Sequence, residues 1–501
     1  MTVQSLPDGR ACRLAAAADG VHDVLVIGGG VNGARLFDLL GRRGHRTLLL
    51  EAGDFASGSS QATGMMVWGG LLYLRQFDIG TVVKLCRARD RLLSAEPAQA
   101  RPCRYRYIPG PGPGRHLALL GLGLYWLLGG LQRRAPRLEP DYAEASLLVN
   151  AAPSLTYEEG MLALADSRFV LGWILRHEQT PAVALNYCAF TGADFAAADR
   201  LWHVRARDMR TGREFALRCR RIVNCAGVWT DTINAQAGIR SPVKHAFSKG
   251  VYAAFPRPSG HDLPLIFETG ADRDVITSVP DGPVAFWGPT ETAIDTLDEG
   301  FRATPEDVRF LLRQRQRCLS EAGGKDNIVA LRVGVRPLAV PADFSAQVYP
   351  LKLSRRHRIV VDDERPWIST YGGKFTASLD CAEEVLTALR LSSRAASAPP
   401  EPAPAQAAPM VAFPGLAQPA PDPDWCRRHE QCCTLDDYLR RRTSIAQWVP
   451  RGGLGRTNEH LDRLRTVALA LAGGDPAVAD ADLARYGQKV ELEFDRVLDS
   501  V

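Results

Sequence analysis

Nowhere in the 501-residue chain is there an uninterrupted apolar run of about twenty residues, the length that a membrane-crossing helix needs. The longest such stretch, residues 117–131 (LALLGLGLYWLLGGL), stops short of it and is bracketed by Arg115, Arg133 and Arg134. It is expected not to cross a bilayer, and reads first as a buried helix. No dense Lys/Arg stripe interleaved with aromatics occurs, and the formal net charge is only +5, so a nucleic-acid groove is not expected. The eleven cysteines are odd in number, scattered and without a repeating framework, which predicts free thiols in a reducing compartment. Asp8, Arg10, Arg13 and Asp19 break the first twenty residues into pieces too short for a secretion signal. Residues 1–20 therefore read as a loose leader on a cytoplasmic protein. Cys426, His429, Cys432 and Cys433 have a faintly zinc-like spacing, but they share one helix-prone stretch and no second pair follows, so no metal is expected. No internal repeat is found.

Hydrophobic residues at 46% and charged residues at 23% describe a globular protein, and the length implies two or three domains. The clearest break is a Pro/Ala tract at residues 396–423, which reads as a linker. Beyond it Leu435, Leu439, Leu461, Leu464, Val467, Leu469 and Leu471 recur among charges at mostly helical spacing, giving a small all-helical C-terminal domain over 424–501. Between leader and linker, residues 221–227, 283–290 and 358–363 read as short strands. Residues 80–94, 168–177, 305–319 and 374–391 read as helices. The mixture predicts an α/β fold with an added antiparallel sheet.

The strongest local signal is Asp23-Val-Leu-Val-Ile-Gly28-Gly-Gly30-Val-Asn-Gly33-Ala, an apolar strand running into G-x-G-x-x-G and an amphipathic helix. Gly28 suits the tight turn, Gly30 a close approach of backbone to a pyrophosphate, and Gly33 close packing of helix on strand. The helix N-terminus adds unpaired N–H groups and a positive dipole end. A second strand ends at Glu51, 21 residues after Gly30, where a carboxylate can accept hydrogen bonds from ribose hydroxyls. A strand, a helix and an acid at that interval together predict a bound dinucleotide. The small polar residues after Glu51, among them Ser59 and Ser60, could wrap a second side of it.

In order along the chain stand Gly28-Gly-Gly30-Val-Asn-Gly33-Ala, Glu51-Ala-Gly-Asp54, Ser59-Ser60, Gly69-Gly70-Leu-Leu-Tyr73-Leu, Asn224-Cys-Ala226-Gly227-Val-Trp229, Gly334-Val-Arg336-Pro-Leu and Gly372-Gly373-Lys374-Phe-Thr376. This series resembles the FAD-dependent glycerol-3-phosphate dehydrogenase family, within the flavoprotein superfamily that includes D-amino-acid oxidases, from about residue 22 to 390. The resemblance implies a Rossmann-type FAD-binding domain over about 20–90, 155–235 and 355–395. It also implies an antiparallel-sheet substrate domain from the intervening segments, so that 21–395 is one oxidoreductase unit. FAD would be held by Gly28, Gly30, Gly33, Glu51, Ser59, Ser60, Ala226, Gly227, Gly372, Gly373, Lys374 and Thr376. Hydride would pass from a small polyol phosphate or related alcohol to the flavin while a protein base takes the hydroxyl proton. A quinone or oxygen would take the electrons onward. In such an enzyme the stretch 117–131 becomes a candidate peripheral contact with the inner face of the cell membrane. Arg336 matches the arginine that holds the substrate's anion, and Lys374 and Thr376 match residues beside flavin and substrate.

The chain departs from that pattern where the substrate sits. In place of His-Gly-Gly-Leu-Arg-Tyr it has Trp68-Gly69-Gly70-Leu71-Leu72-Tyr73, which removes a histidine and an anion-binding arginine and keeps Tyr73. A second family histidine corresponds to Tyr252 in Lys249-Gly250-Val251-Tyr252. Arg75, Gln76 and Arg332 are candidates to replace the lost arginine, and Tyr252 or Lys374 to replace the lost base, although unperturbed pKa values near 10 suit neither. Three functions stay open at this point: a dehydrogenase of glycerol 3-phosphate or a related polyol phosphate, a flavin oxidase or dehydrogenase of a different small alcohol or amine, and a flavin-binding protein without turnover.

Overall fold

Five strands, Trp367–Tyr371, Glu214–Asn224, Val21–Ile27, Thr47–Leu50 and Val183–Leu185, lie side by side and parallel in that order, with Arg358–Val361 added antiparallel at one edge. This is a computed structural model, and it describes residues 9–109, 114–151, 153–177, 182–269, 274–297, 300–345, 353–391 and 408–501. Val24, Leu25 and Val26 are fully buried at the centre of the sheet, as the unbroken apolar run requires of a parallel strand covered on both faces. The helix Val31–Arg42 packs Ala34, Phe37 and Leu40 into the same core. Cys188–Ala196, Leu201–Asp208 and the first part of Glu214–Asn224 form an antiparallel meander leaving the sheet.

A second, ten-stranded sheet is mostly antiparallel. Its spine is the pair Val243–Pro256 and Ala330–Pro341, whose register sets Ser248 opposite Arg336 and Gly250 opposite Gly334. The helices Ile79–Ala95, Asp166–Leu175, Pro305–Cys318 and Ser378–Ala388 fall where the apolar spacing places them, the last beginning four residues late because Phe375–Ala377 is a tighter 3-10 turn.

Two expectations about the segments flanking the oxidoreductase unit are corrected. Residues 9–18, read as loose leader, form a helix whose Arg10 pairs with Asp208 at 2.7 Å and whose Ala17 is buried; the run of four alanines favours helix, and the long-range pair docks it. The Pro/Ala tract is divided. Residues 396–407 lie outside the described residues, whereas Met410–Val411 pairs with Ala420–Pro421, and Phe413 and Ala420 enter the C-terminal core. Phe413 supplies apolar area that the surrounding prolines and alanines lack, so this part packs.

That C-terminal core is built on Leu435, Leu439, Ile445, Leu464, Val467 and Leu471. It is tied to the first domain through Asp54, which is completely shielded. Arg441 Nε and Arg442 Nη1 each donate to Asp54 at 2.7 Å, and Asn186 Nδ2 donates at 2.9 Å. Burial alone would raise the Asp54 pKa, but Arg442 and Arg441 hold it below the ordinary carboxylate range.

The helix Gly114–Leu128 is not the buried helix of the first expectation. Leu122 and Tyr125 are its buried residues, while Leu117, Leu120, Leu124 and Leu127 are exposed, Leu120 by 71%. At 15 residues it is about 22 Å long, and no helix among the described residues is long and apolar enough to cross a membrane.

Candidate active site

A cavity of about 1790 Å³ runs between the two sheets. Ordinary small-molecule pockets hold roughly 300–1,000 Å³, so there is room for a dinucleotide together with a small substrate. Gly28, Gly30, Glu51, Ser59, Ser60, Ala226, Gly227, Gly372, Gly373, Lys374 and Thr376 all line it, and so do Tyr252 and Arg336.

The cradle is made by contiguous chain. Gly28 has φ +103°, and a Cβ there would lie 2.5 Å from the carbonyl oxygen of Cys225. Gly33 is packed harder still, with its virtual Cβ 2.0 Å from the carbonyl oxygen of Gly28. Gly30 differs, since a Cβ would meet just the Ser60 hydroxyl at 3.1 Å and otherwise face the cavity. Gly30 also caps the helix Val31–Arg42 without a side-chain bond, so that the first-turn amides after Val31 face a prospective anion. The Val31 N–H donates to Ser60 Oγ at 2.9 Å, and Ser59 donates to the Val335 carbonyl, fixing the loop that closes the far side. Glu51 accepts from the Gly29 and Gly53 amides at 2.7 and 2.8 Å. Burial pushes its carboxyl up, opposed by those two amides. The residues present therefore fit a dinucleotide: a glycine face kept clear, an amide-bearing helix end and a ribose-side carboxylate.

At the other end, Lys374 Nζ stands 4.3 Å from the centre of the Tyr73 ring. Burial, and then Arg355, lower its ammonium to about 7. The two tyrosines move the other way. Burial pushes the Tyr73 phenol up to about 12 and the Tyr252 phenol above its ordinary value, so both stay protonated at neutral pH. Thr376 Oγ1 accepts from the Trp68 N–H at 3.1 Å, which ties Trp68, itself a lining residue, to the lysine segment. Gly372 and Gly373 have φ +62° and +100°, left-handed values that let this turn approach the cavity.

The arginines separate clearly. Arg336 reaches the cavity with Glu291 Oε2 at 3.2 Å and Ser248 Oγ at 3.4 Å. Arg332, expected as a second substrate arginine, is 3% exposed and turned away from the cavity. It donates to the Thr63 carbonyl at 2.8 Å and to Gln447, and its guanidinium lies 3.9 Å from the centre of the Phe286 ring. Arg332 and Arg336 share a face of their strand, so it is the four residues, about 13 Å, between them that set one beside the cavity and the other beyond it. Arg75 is bonded to Glu268 and to Tyr107 at 2.9 Å. Two residues that no motif marked complete the site. Arg355 lines the cavity and donates to Glu291 at 2.9 Å, and Glu291 joins the two guanidinium groups. Nothing local in sequence signals either residue, because sheet register pairs only Ser248 with Arg336, while Glu291 and Arg355 come from loops distant in sequence.

The sequence profile of the FAD dependent oxidoreductase family matches residues 23–379. The chain belongs to that family. Its cofactor is FAD, and the residues of the cradle described above fit such a dinucleotide. An aerobic glycerol-3-phosphate dehydrogenase of Staphylococcus aureus (strain USA300) is 25% identical over 380 residues, which is 73% of this chain and 66% of the relative. The chain is thus matched over slightly less than two thirds of that relative's length. Among solved structures, the glycerol-3-phosphate dehydrogenase of Bacillus halodurans complexed with FAD superposes with TM-score 0.72 at 19% identity, covering 99% of this chain and 98% of the other. The L-alpha-glycerophosphate oxidase of Mycoplasma pneumoniae gives 0.60 at 14% identity, covering 76% and 98%, and glycine oxidase from Geobacillus kaustophilus 0.56 at 17%, covering 75% and 96%. These likenesses describe the fold. The full-length coverage of the first extends it to the helical C-terminal region. Among the described residues no group of His, Cys, Asp or Glu is placed to hold a metal ion, and the eleven cysteines form no disulfide.

Proposed function

We propose that this chain is a dehydrogenase that oxidises a small alcohol carrying an anionic group, glycerol 3-phosphate or a relative of it, and delivers the electrons to a quinone-like acceptor. Bound FAD supplies the two-electron redox chemistry. The observation that carries the reading is Lys374, whose ammonium is lowered to about 7 at the wall of the cavity. A base poised near neutral pH is what removal of a hydroxyl proton requires, and such transfer is worth roughly 10² to 10⁴ in rate. Its neutral Nζ accepts the proton while Arg336 and Arg355 orient the anionic end. Tyr252, held protonated, is a hydrogen-bond donor to substrate oxygen and is no longer a candidate base. The departures at Trp68 and Leu72 support a second reading, an oxidase or dehydrogenase of a different small alcohol or amine, since both line the cavity and make it more apolar.

The exposed leucines of Gly114–Leu128, with Phe77 87% exposed beside them on the turn after Leu71–Gln76, support peripheral attachment to a lipid surface near which a quinone is available. The test is anaerobic bleaching of the flavin absorbance against a panel of polyol phosphates, other alcohols and amines, followed by reoxidation with a soluble quinone or oxygen. Bleaching by an anionic alcohol with fast quinone reoxidation supports the proposal. Bleaching by amines alone, or rapid peroxide release, supports the second reading.

A further inference from the structure

Glu291 lies in the middle of the substrate end of the cavity, where a counter-charge to an anionic substrate is least expected. Its Oε1 accepts from Ser248 Oγ at 2.6 Å and from Arg355 at 2.9 Å, and its Oε2 lies 3.2 Å from Arg336 Nη1. The side chain is 11% exposed. Burial pushes the carboxyl up, yet Arg336 and then Arg355 hold it below the ordinary range, so it is a carboxylate at neutral pH. Two guanidinium groups therefore share one carboxylate at the place where the substrate's anion is to sit. Among the described residues the rest of the wall adds no surplus of positive charge. Lys249 is paired with Asp307 at 2.7 Å, Lys374 must be neutral to act as a base, and Asp295 and Glu306 line the same cavity. Leu72 and Trp68 offer no charge.

A phosphate monoester carries about two negative charges at neutral pH and a carboxylate one. The second charge would face Glu291 inside a cleft where like charges repel strongly. We propose that Glu291 is the residue that fixes the substrate's charge, and that it selects a small hydroxycarboxylate over a phosphate monoester. The inference rests on the alcohol-oxidation reading above for its chemistry and narrows it. In the reaction, the C–H bond of the carbinol carbon breaks with its electron pair leaving to FAD, the O–H proton passes to Lys374 Nζ, and a keto carboxylate remains. Bound FAD would take up that electron pair, and the quinone-like acceptor of the proposed function is where the pair would go.

The test uses holoenzyme and two measurements. In the first, anaerobic flavin reduction is compared for glycerate and glycerol 3-phosphate. Glycerate is expected to be at least tenfold better in kcat/KM, and Glu291→Gln, which keeps the shape and removes the charge, is expected to move the ratio toward the phosphate by on the order of ten- to a hundredfold. Leu72→Arg, which adds a cation at the apolar wall, is expected to move it the same way. Wild-type preference for glycerol 3-phosphate, or an unchanged ratio in Glu291→Gln, overturns the proposal. The second measurement needs no turnover: acetate and inorganic phosphate are titrated against the flavin absorbance spectrum. Tighter acetate in wild type, with phosphate gaining in Glu291→Gln, supports the charge rule even if neither alcohol bleaches the flavin, in which case the alcohol-oxidation reading is what fails. Equal acetate-to-phosphate ratios in the two proteins overturn the charge rule itself.

Discussion

Gly250 faces Arg336 so closely that a Cβ on the glycine would stand 2.3 Å from the guanidinium Nη2. The missing side chain is what lets the arginine lie across the strand pair and reach Glu291. It also makes Arg336 sensitive to change on the neighbouring strand. Gly250→Ala is therefore expected to displace the guanidinium and lower kcat/KM for the substrate while FAD stays bound. Arg336→Ala should lose about 2–4 kcal/mol of transition-state stabilisation, roughly 30- to 1000-fold in kcat/KM. Steady-state kinetics beside the flavin absorbance of the purified protein checks both. An Arg336→Ala enzyme with unchanged kcat/KM places the anion elsewhere.

Lys374 gives a pH dependence with a definite sign. The base is competent when neutral, so the rate of flavin reduction should rise as pH increases through about 7 and level off above it. Lys374→Met should abolish the rise and slow reduction by on the order of 10² to 10⁴. Stopped-flow reduction across pH 5.5 to 9 reads both; a profile that falls with pH rules out the lysine as base.

Gly30→Val should give colourless but folded protein. The virtual Cβ at Gly30 meets only the Ser60 hydroxyl, so the side chain fits the apoprotein yet occupies the pyrophosphate position. A variant that unfolds near the wild-type temperature and still carries full FAD would show that the cofactor lies elsewhere.

The apolar stripe is testable with lipid alone. Leu120→Glu with Leu124→Glu should reduce co-sedimentation with anionic vesicles severalfold and leave flavin reduction by the substrate intact, because these side chains point away from the cavity. Equal sedimentation of variant and wild type ends the membrane reading.

How much of this could be read from sequence depends on how local each feature is. The FAD cradle is legible because strand, glycine turn, helix and Glu51 follow one another within thirty residues, although the atom that demands a glycine at position 28 is the distant Cys225 carbonyl oxygen. The substrate end is legible only in part. Arg336 and Lys374 stand in motifs, but the partners that tune them, Glu291 and Arg355, come from loops that no periodicity describes. Arg332 shows the opposite error: an arginine at a suggestive spacing is held by Thr63 and Gln447, the second of these from the C-terminal module. Composition misled at residues 408–423, where proline and alanine imply a linker while Phe413, Leu416 and Ala420 bring the segment into a core.

Asp54→Asn is expected to destabilise the protein by about 3 kcal/mol, the low end for breaking a buried pair, since Arg442 keeps only Glu430 at 3.6 Å while Arg441 retains Asp436 and Asp437 at 2.7 Å. FAD release should accompany the loss, because Arg440 and Arg441 also bond Gln61 in the loop carrying Ser59 and Ser60. Thermal unfolding and the dissociation constant of FAD measure the two effects; retention of both would show that the C-terminal arginines are indifferent to the cofactor loop.

Those arginines also impose a timetable on the newborn chain. Asp54 and Arg442 are 388 residues apart, so at the usual 5–20 residues per second the ribosome delivers the second about 20 to 80 s after the first. During that interval the strands Val183–Leu185, Glu214–Asn224 and Trp367–Tyr371 join the sheet one after another, but the loop from Asp54 to Gln61 still lacks the two cations that pair with Asp54. A chain truncated before residue 424 keeps the nucleotide signature but leaves Asp54 without these two cations, and is expected to hold FAD less tightly than the full chain.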